Sequence, residues 1–342
     1  MASVIIPGIP NDLALHCLAR LPLASHKHAR AVCRAWRSAL LANDLYQVRS
    51  REGLSEQWLY VCTFGPVWQA YDPLSQRWHS LPPLPSAVPC LAAFGVAAAS
   101  RSVFVMGGES QAVNPATGEW DGVPVSSEVW AWDPRRGQWL QKASMPVAKK
   151  KFACCVVEGK IVVAGGMVAD VGGSSSLKPS ACVQIYDPEE DSWSYGAELR
   201  AGEGAVWGVM LQRKMHVMHP KLRKAEVFYP SQNRWTVVEC GLEACPMGQV
   251  NGELYMLNSG RVFRDGETVQ YAPQLDRISA GMAAVGSNLY VFGGWPSTNL
   301  AVYSHDGLND CHIISVAEGT ISEGSRMTVC KGSVLGSAVL SL

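Results

Sequence analysis

Apolar residues follow two different periods along this chain. Over residues 1–50 they recur every three to four positions, as on one face of a helix. From Trp58 onward they form short runs or alternate with polar residues between glycines and prolines, as in strands. Ile9-Pro10-Asn11-Asp12 reads as a helix start, a polar cap after a proline with Asp12 in the first turn. Leu13, Leu15, Leu18 and Leu21 continue that helix, and Leu21-Pro22 ends it. Ala29, Val32, Cys33, Trp36, Leu40 and Leu41 form a second stripe, with Arg30, Arg34 and Arg37 between them. These residues predict two or three short helices, too small to hold a core alone. The polar stretch 43–57 predicts a helical linker.

The strand-sized part repeats. Tyr71-Asp72-Pro73, Trp132-Asp133-Pro134, Tyr186-Asp187-Pro188 and Phe228-Tyr229-Pro230 are followed by Trp78, Trp139, Trp193 and Trp235, always five positions after the proline. Glycine pairs stand upstream at Gly107-Gly108, Gly165-Gly166 and Gly293-Gly294. The period is that of propeller blades, about 40–50 residues. Strands ending at the glycine-pair position fall at residues 58–64, 102–106, 160–164, 214–218, 253–257 and 288–292, which predicts six blades. The fifth unit lacks a clear Asp-Pro and tryptophan. The first unit has no strand before Trp58, whereas apolar residues continue through 325–342. That surplus predicts a strand that closes the first blade and removes the open edges of the ring.

The hydrophobic run, Gly-Gly, Tyr-Asp-Pro and tryptophan resemble the kelch repeat across nearly all of residues 58–342. Ile9-Pro10-x-x-Leu13, Leu18-x-x-Leu21-Pro22 and Val32-Cys33-x-x-Trp36-x-x-x-Leu40 resemble an F-box. With Glu56-Gln57-Trp58-Leu59-Tyr60, the wording is similar to the plant F-box/kelch-repeat proteins. The expected fold is mostly β: a six-bladed kelch-type β-propeller (58–342) preceded by a small α-helical F-box (1–50) and a linker (51–57). The resemblance implies a substrate receptor of an SCF-type ubiquitin ligase. Ile9, Pro10, Leu13, Leu18, Leu21, Pro22, Val32, Cys33, Trp36 and Leu40 would dock a Skp-family adaptor and, through it, a cullin/RING core. The propeller would hold a target protein for ubiquitination and degradation. Other readings are a kelch scaffold that joins no ligase, and a propeller resembling the copper radical oxidases, for which His219, His305, Tyr195 and Tyr303 are available.

Charge removes several classes. The 29 basic and 29 acidic residues cancel, so nothing in the balance favours nucleic acid or an anionic membrane. No apolar run reaches membrane-spanning length, and residues 1–10 lack the basic flank and apolar core of a signal peptide. The 11 cysteines are odd in number, include no Cys-x-x-Cys and often fall in strands, which predicts thiols in the cytosol or nucleus. His216 and His219, three apart on a strand, point to opposite faces and make a poor metal pair. No nucleophile elbow, P-loop or dinucleotide fingerprint occurs. Hence no catalytic residue, metal or cofactor is expected. Binding is expected in the loops after the second and fourth strands, which share one face. Trp68, Lys149, Lys150, Lys151, Arg200, Arg277 and Trp295 are the candidate target contacts there.

Overall fold

The computed structural model describes residues 4–65, 67–113, 116–118, 125–170, 176–201, 206–240, 245–297 and 307–342. Four short helices come first: α1 (Asn11–Ala19), α2 (Leu23–Ala29), α3 (Arg34–Leu41) and α4 (Asn43–Arg51). Six four-stranded antiparallel sheets follow as the blades of a propeller. In chain order their second strands are Gln57–Thr63, Ser102–Met106, Lys160–Ala164, Lys214–His219, Glu253–Asn258 and Asn288–Phe292. The first strand of blade 1 is Val334–Ser341, antiparallel to Gln57–Thr63.

The helical part differs from its sequence reading in two places. The stripe from Ala29 to Leu41 is not one helix. At Cys33 the backbone is extended (φ −158°, ψ 169°), and the sulfur accepts the Trp36 N–H at 3.4 Å. A side-chain cap thus stops one helix and starts the next. Nor is the stretch after residue 42, helical as expected over Asn43–Arg51, only a linker: α4 buries Leu45, Tyr46 and Arg49. The Arg49 guanidinium donates to the carbonyls of Ala19 (2.6 Å), Leu21 (2.7 Å) and Leu54 (2.8 Å) and pairs with Glu56 (2.8 Å). Main-chain bonds then join Glu56 to Leu342 at 2.8 and 3.0 Å.

These bonds seat the helices on the ring. Leu18, Leu40, Leu45 and Tyr46 share one core with Tyr60, Trp68, Val105, Trp132 and Leu342 of blades 1 and 2. Four further clusters fill the interfaces between blades 2 and 3, 3 and 4, 5 and 6, and 6 and 1. None of these clusters joins blade 4 to blade 5 among the described residues.

The repeated residues explain that pattern. Tyr71/Trp78, Trp132/Trp139, Tyr186/Trp193 and Phe228/Trp235 face one another across the third and fourth strands, with ring centroids 4.7–5.4 Å apart. Each second-listed tryptophan donates its indole N–H to a carbonyl in the connection arriving from the preceding blade. The acceptors are Ser325, Pro82, Ala143 and Ala197, at 2.7–3.0 Å. In blades 5 and 6 the corresponding pairs are Phe263/Thr268 and Ile314/Ile321. The glycine pairs lie under the same connections. Gly108, Gly166 and Gly294 have φ of 103°, 86° and 85°, and a Cβ on each would come within 2.6–2.7 Å of the Ala92, Lys150 and Ile278 carbonyls. Only glycine fits there.

Candidate partner-binding surfaces

The helical module and the Gly-Gly loops sit on opposite faces of the ring. The module touches Glu56 and Trp58, where the second strand of blade 1 begins, and Leu342, just after its first strand ends. It also meets the turn between the third and fourth strands of blade 2. There Arg135 donates to Asn43 Oδ1 at 3.0 Å and lies 5.9 Å over the Tyr46 ring. The loops after the second strands open on the other side. There they pair with the inter-blade connections: Glu109–Ser110 with Leu91–Ala92, Met167 with Lys150, and Trp295–Pro296 with Arg277–Ile278.

On the module, the ten residues expected to dock an adaptor divide into two sets. Ile9, Pro10, Leu13, Pro22, Val32 and Cys33 are exposed, with Leu13 at 53% and Val32 at 63%. Leu13 and Cys17, four apart, share one side of α1, and Ile9 is exposed in the bend just before that helix. Leu18 and Leu40 are buried in the core shared with the propeller and present nothing to a partner. Leu21 and Trp36 are half-buried, and the Trp36 indole donates to the Ile5 carbonyl at 3.1 Å. The stripe thus has an inner half that seats the module and an outer half that remains uncovered.

On the loop face, most of the expected contacts are structural instead. Trp68 is 2% exposed and packs edge-on against Trp139 of blade 2. Lys149 is buried and donates to the Cys182 carbonyl, and burial holds its pKa below the ordinary lysine value. Lys150 is buried in an ion pair with Glu109. The Arg277 side chain is covered and pairs with Asp310 at 2.7 Å. The lysines and the arginine read as surface because of their charge, and Trp68 because an aromatic can anchor a partner. The fold instead uses them to fasten connections between blades. Lys151 and Arg200 are exposed, and Trp295 is half-buried.

The same face carries apolar groups that the sequence reading passed over. Phe64 (58% exposed), Val67, Ile278 and Val329 surround the junction of blades 6 and 1. Phe64 N and the Trp295 indole both bond Ser333, at 3.0 Å each. The legible signal was Phe64 itself, a large apolar residue in a turn before Gly65. Also missed were the polar side chains that hold the connections. Gln69 Oε1 accepts from the backbone of Thr328, Val329 and Cys330. Gln184 bonds both backbone groups of Val147. Glu226 accepts from Arg200 N (2.8 Å) and Ala201 N (2.9 Å) and pairs with His219 at 3.2 Å. Each sits two positions before its blade's aromatic, so aligning the repeats exposes them.

Chemistry-bearing groups are otherwise dispersed. Among the described residues no group of three or more His, Cys, Asp or Glu is placed to hold a metal. His219 is enclosed with Glu226 in blade 4, whereas Tyr195 is 62% exposed on the outer strand of blade 3. Tyr303 and His305 lie outside the described residues. The aspartates that recur in the repeats cap turns: Asp72 Oδ1 accepts from Leu74 N and Asp133 Oδ1 from Arg135 N, both at 2.9 Å. Burial pushes the Cys154 and Cys311 thiols up to about 12, which keeps them protonated and unreactive.

A seated helical module with a bare apolar side, in front of a six-bladed propeller, defines an F-box protein of the kelch-propeller type. The F-box domain pattern matches residues 6–47, and the kelch motif pattern matches residues 149–200. The F-box/kelch-repeat protein SKIP30 of Arabidopsis thaliana is 35% identical, over 99% of this chain and 98% of its own. A second Arabidopsis thaliana F-box/kelch-repeat protein is 28% identical over 85% of this chain and 83% of its own. The solved structure of YjhT superimposes with a TM-score of 0.54 at 14% identity, covering 75% of this chain and 88% of that one, and supports the propeller fold. The chain belongs to the plant F-box/kelch-repeat family. Its F-box implies a Skp-type adaptor, and its propeller a bound substrate protein.

Proposed function

We propose that this chain is the target-binding subunit of an SCF-type E3 ubiquitin ligase. Its F-box docks a Skp-family adaptor, which joins it to a cullin/RING core, and the loop face of the propeller holds the target. The observation that carries this reading is the bare apolar side at Ile9, Leu13 and Val32, on a module otherwise locked into the ring. Large apolar side chains that the ring leaves uncovered are the groups an adaptor would bury. Because the module is bonded to blades 1 and 2, a target on the far face is held at a fixed orientation to the ligase core. Such linkage raises its effective concentration at the ubiquitin-conjugating enzyme. The chain itself then does no covalent chemistry. Buried thiols at Cys62, Cys155, Cys311 and Cys330 support residence in the cytosol or nucleus.

The shared core also suits a second reading, a propeller scaffold whose helices are only a cap. Deleting residues 1–50 would bare the core and cannot separate the two. Surface substitutions can. In a pull-down with a purified Skp-family adaptor, the full chain binds, and Leu13→Asp with Val32→Asp abolishes binding while the thermal midpoint stays unchanged. Failure of the intact folded chain to bind overturns the ligase reading and leaves the scaffold.

A further inference from the structure

Charge cancels over the whole chain but not over the helical module. Residues 13–43 carry Arg20, Lys27, Arg30, Arg34 and Arg37 and no aspartate or glutamate. Three of these meet a fourth cation that comes from the ring. A groove of about 350 Å³ lies between α2–α3 and the turn after the third strand of blade 2. Lys27, Arg30 and Arg37 line it from the module, Arg136 and Gln138 from the blade, and Ala31 and Leu41 are its apolar part. Among the described residues no carboxylate lines the groove, and none pairs with Lys27, Arg30 or Arg37. Asp133, which holds Arg136 at 2.8 Å, is 1% exposed and is shared with Arg135. Lys27, Arg30, Arg37, Arg135 and Arg136 less Asp133 leave four positive charges.

The cations are held in place. Arg37 Nε donates to the Arg30 carbonyl at 3.4 Å, and Asp133 fixes Arg136. Arg135 donates to Asn43 Oδ1 at 3.0 Å, which ties the two walls together. Like charges gathered by a fold repel one another, and a bound anion relieves that repulsion. Charge and size say which anion. A peptide carboxylate brings one charge and a residue of chain with it, whereas a phosphate monoester carries about two charges at neutral pH. Two phosphate groups therefore balance the four cations within a space of small-ligand size, about 300 Å³ upward. The planar forks of three arginines also match phosphate oxygens in pairs.

We propose that the groove between the F-box helices and blade 2 binds a compact anion carrying two or more phosphate groups. Held from both walls, the anion clamps the module to the ring. The groove adjoins the adaptor surface at Val32, next to Ala31, but uses none of the residues expected to dock the adaptor. The test uses the full chain and calorimetry with tripolyphosphate. The anion binds saturably, the thermal midpoint rises with its concentration, and added salt weakens binding. Arg30→Gln with Arg37→Gln lowers the affinity about tenfold or more, and so does Arg136→Gln alone, because the anion bridges both walls. The first of these variants keeps or raises the ligand-free midpoint by relieving repulsion, so lost binding is not lost folding. Lys221→Gln, at an exposed lysine of blade 4, changes nothing. A peptide with two phosphoserines, run beside tripolyphosphate, distinguishes the source: the tighter of the two shows whether the phosphates are free or carried on a partner. Overturning results are no saturable binding, or affinity untouched by the groove variants, which would mark an adventitious ion only. A pentaglutamate peptide binding as tightly as tripolyphosphate would also overturn the proposal, by assigning the groove to an acidic segment of a partner.

Discussion

The interfaces on either side of blade 4 use one repeat with different parts. Between blades 3 and 4, Trp235 packs at a tilt against Phe228, its indole bonds the Ala197 carbonyl, and Glu226 holds the incoming connection. Between blades 4 and 5, Thr268 stands in the tryptophan's register, no described apolar cluster crosses, and a groove of about 430 Å³ opens beside Leu211, Leu254 and Met256. The first strands of the other five neighbouring pairs pack closely side by side, and those of blades 4 and 5 make no comparably extensive contact among the described residues. The difference teaches that ring closure does not require six equal interfaces. The helices are seated on the filled half, at blades 1 and 2, and the unfilled positions gather around blade 5.

The comparison breaks most sharply if the filled side is made like the unfilled one. Trp235→Ala removes a 2%-exposed indole and its hydrogen bond. It should cost about 3–5 kcal/mol in urea unfolding, whereas Thr268→Ala, one blade on, should stay within about 0.5 kcal/mol. Equal effects would show that the tryptophan does not set interface strength.

Acid should weaken the seated side next. Burial, with Arg49 and Arg30 nearby, holds His26 down to about 4 from 6.5, although its bond to the Leu21 carbonyl pulls the other way. The unfolded chain takes this proton as pH falls through about 6.5, and the folded chain resists until about 4. Stability contributed by neutral His26 is therefore complete near pH 7 and lost across that window, up to about 3 kcal/mol. His26→Gln should flatten the dependence of the urea midpoint between pH 7 and 4.5, and an unchanged slope would assign it to other groups.

Smaller still is the loss of one latch. Gln184→Ala leaves the Val147 N–H and carbonyl without their partner at the junction of blades 2 and 3. That should cost about 1–3 kcal/mol and speed hydrogen exchange at Val147 first. Exchange unchanged at Val147 would show that water satisfies the connection.

Much of the ring was legible because its signals are local. The six second strands fall within one residue of where the glycine spacing put them, and the Asp-Pro turns cap as aspartates do at such turns. What stayed hidden depends on distant partners. Lys149 and Lys150 read as target contacts, because nothing nearby in sequence announces the Cys182 carbonyl or Glu109 that receive them. Polar α4 read as a helical linker because its buried positions include Arg49, a charge whose four acceptors come from two distant stretches, 19–21 and 54–56. The inner and outer halves of the F-box stripe could not be separated by periodicity, since both are apolar and only the propeller decides which is covered.

The strand Val334–Ser341 sets the order of events during synthesis. The helices leave the ribosome first, yet their seat includes Leu340 and Leu342, which leave after every other strand described. Until then blade 1 lacks its inner strand and the apolar side of α4 has no complete floor. Pairing the two ends of the ring closes a very long loop, whose entropy cost must be met before that pairing rewards it. The seat of the F-box and the closure of the ring are therefore one event: both are complete only once Leu340 and Leu342 are in place.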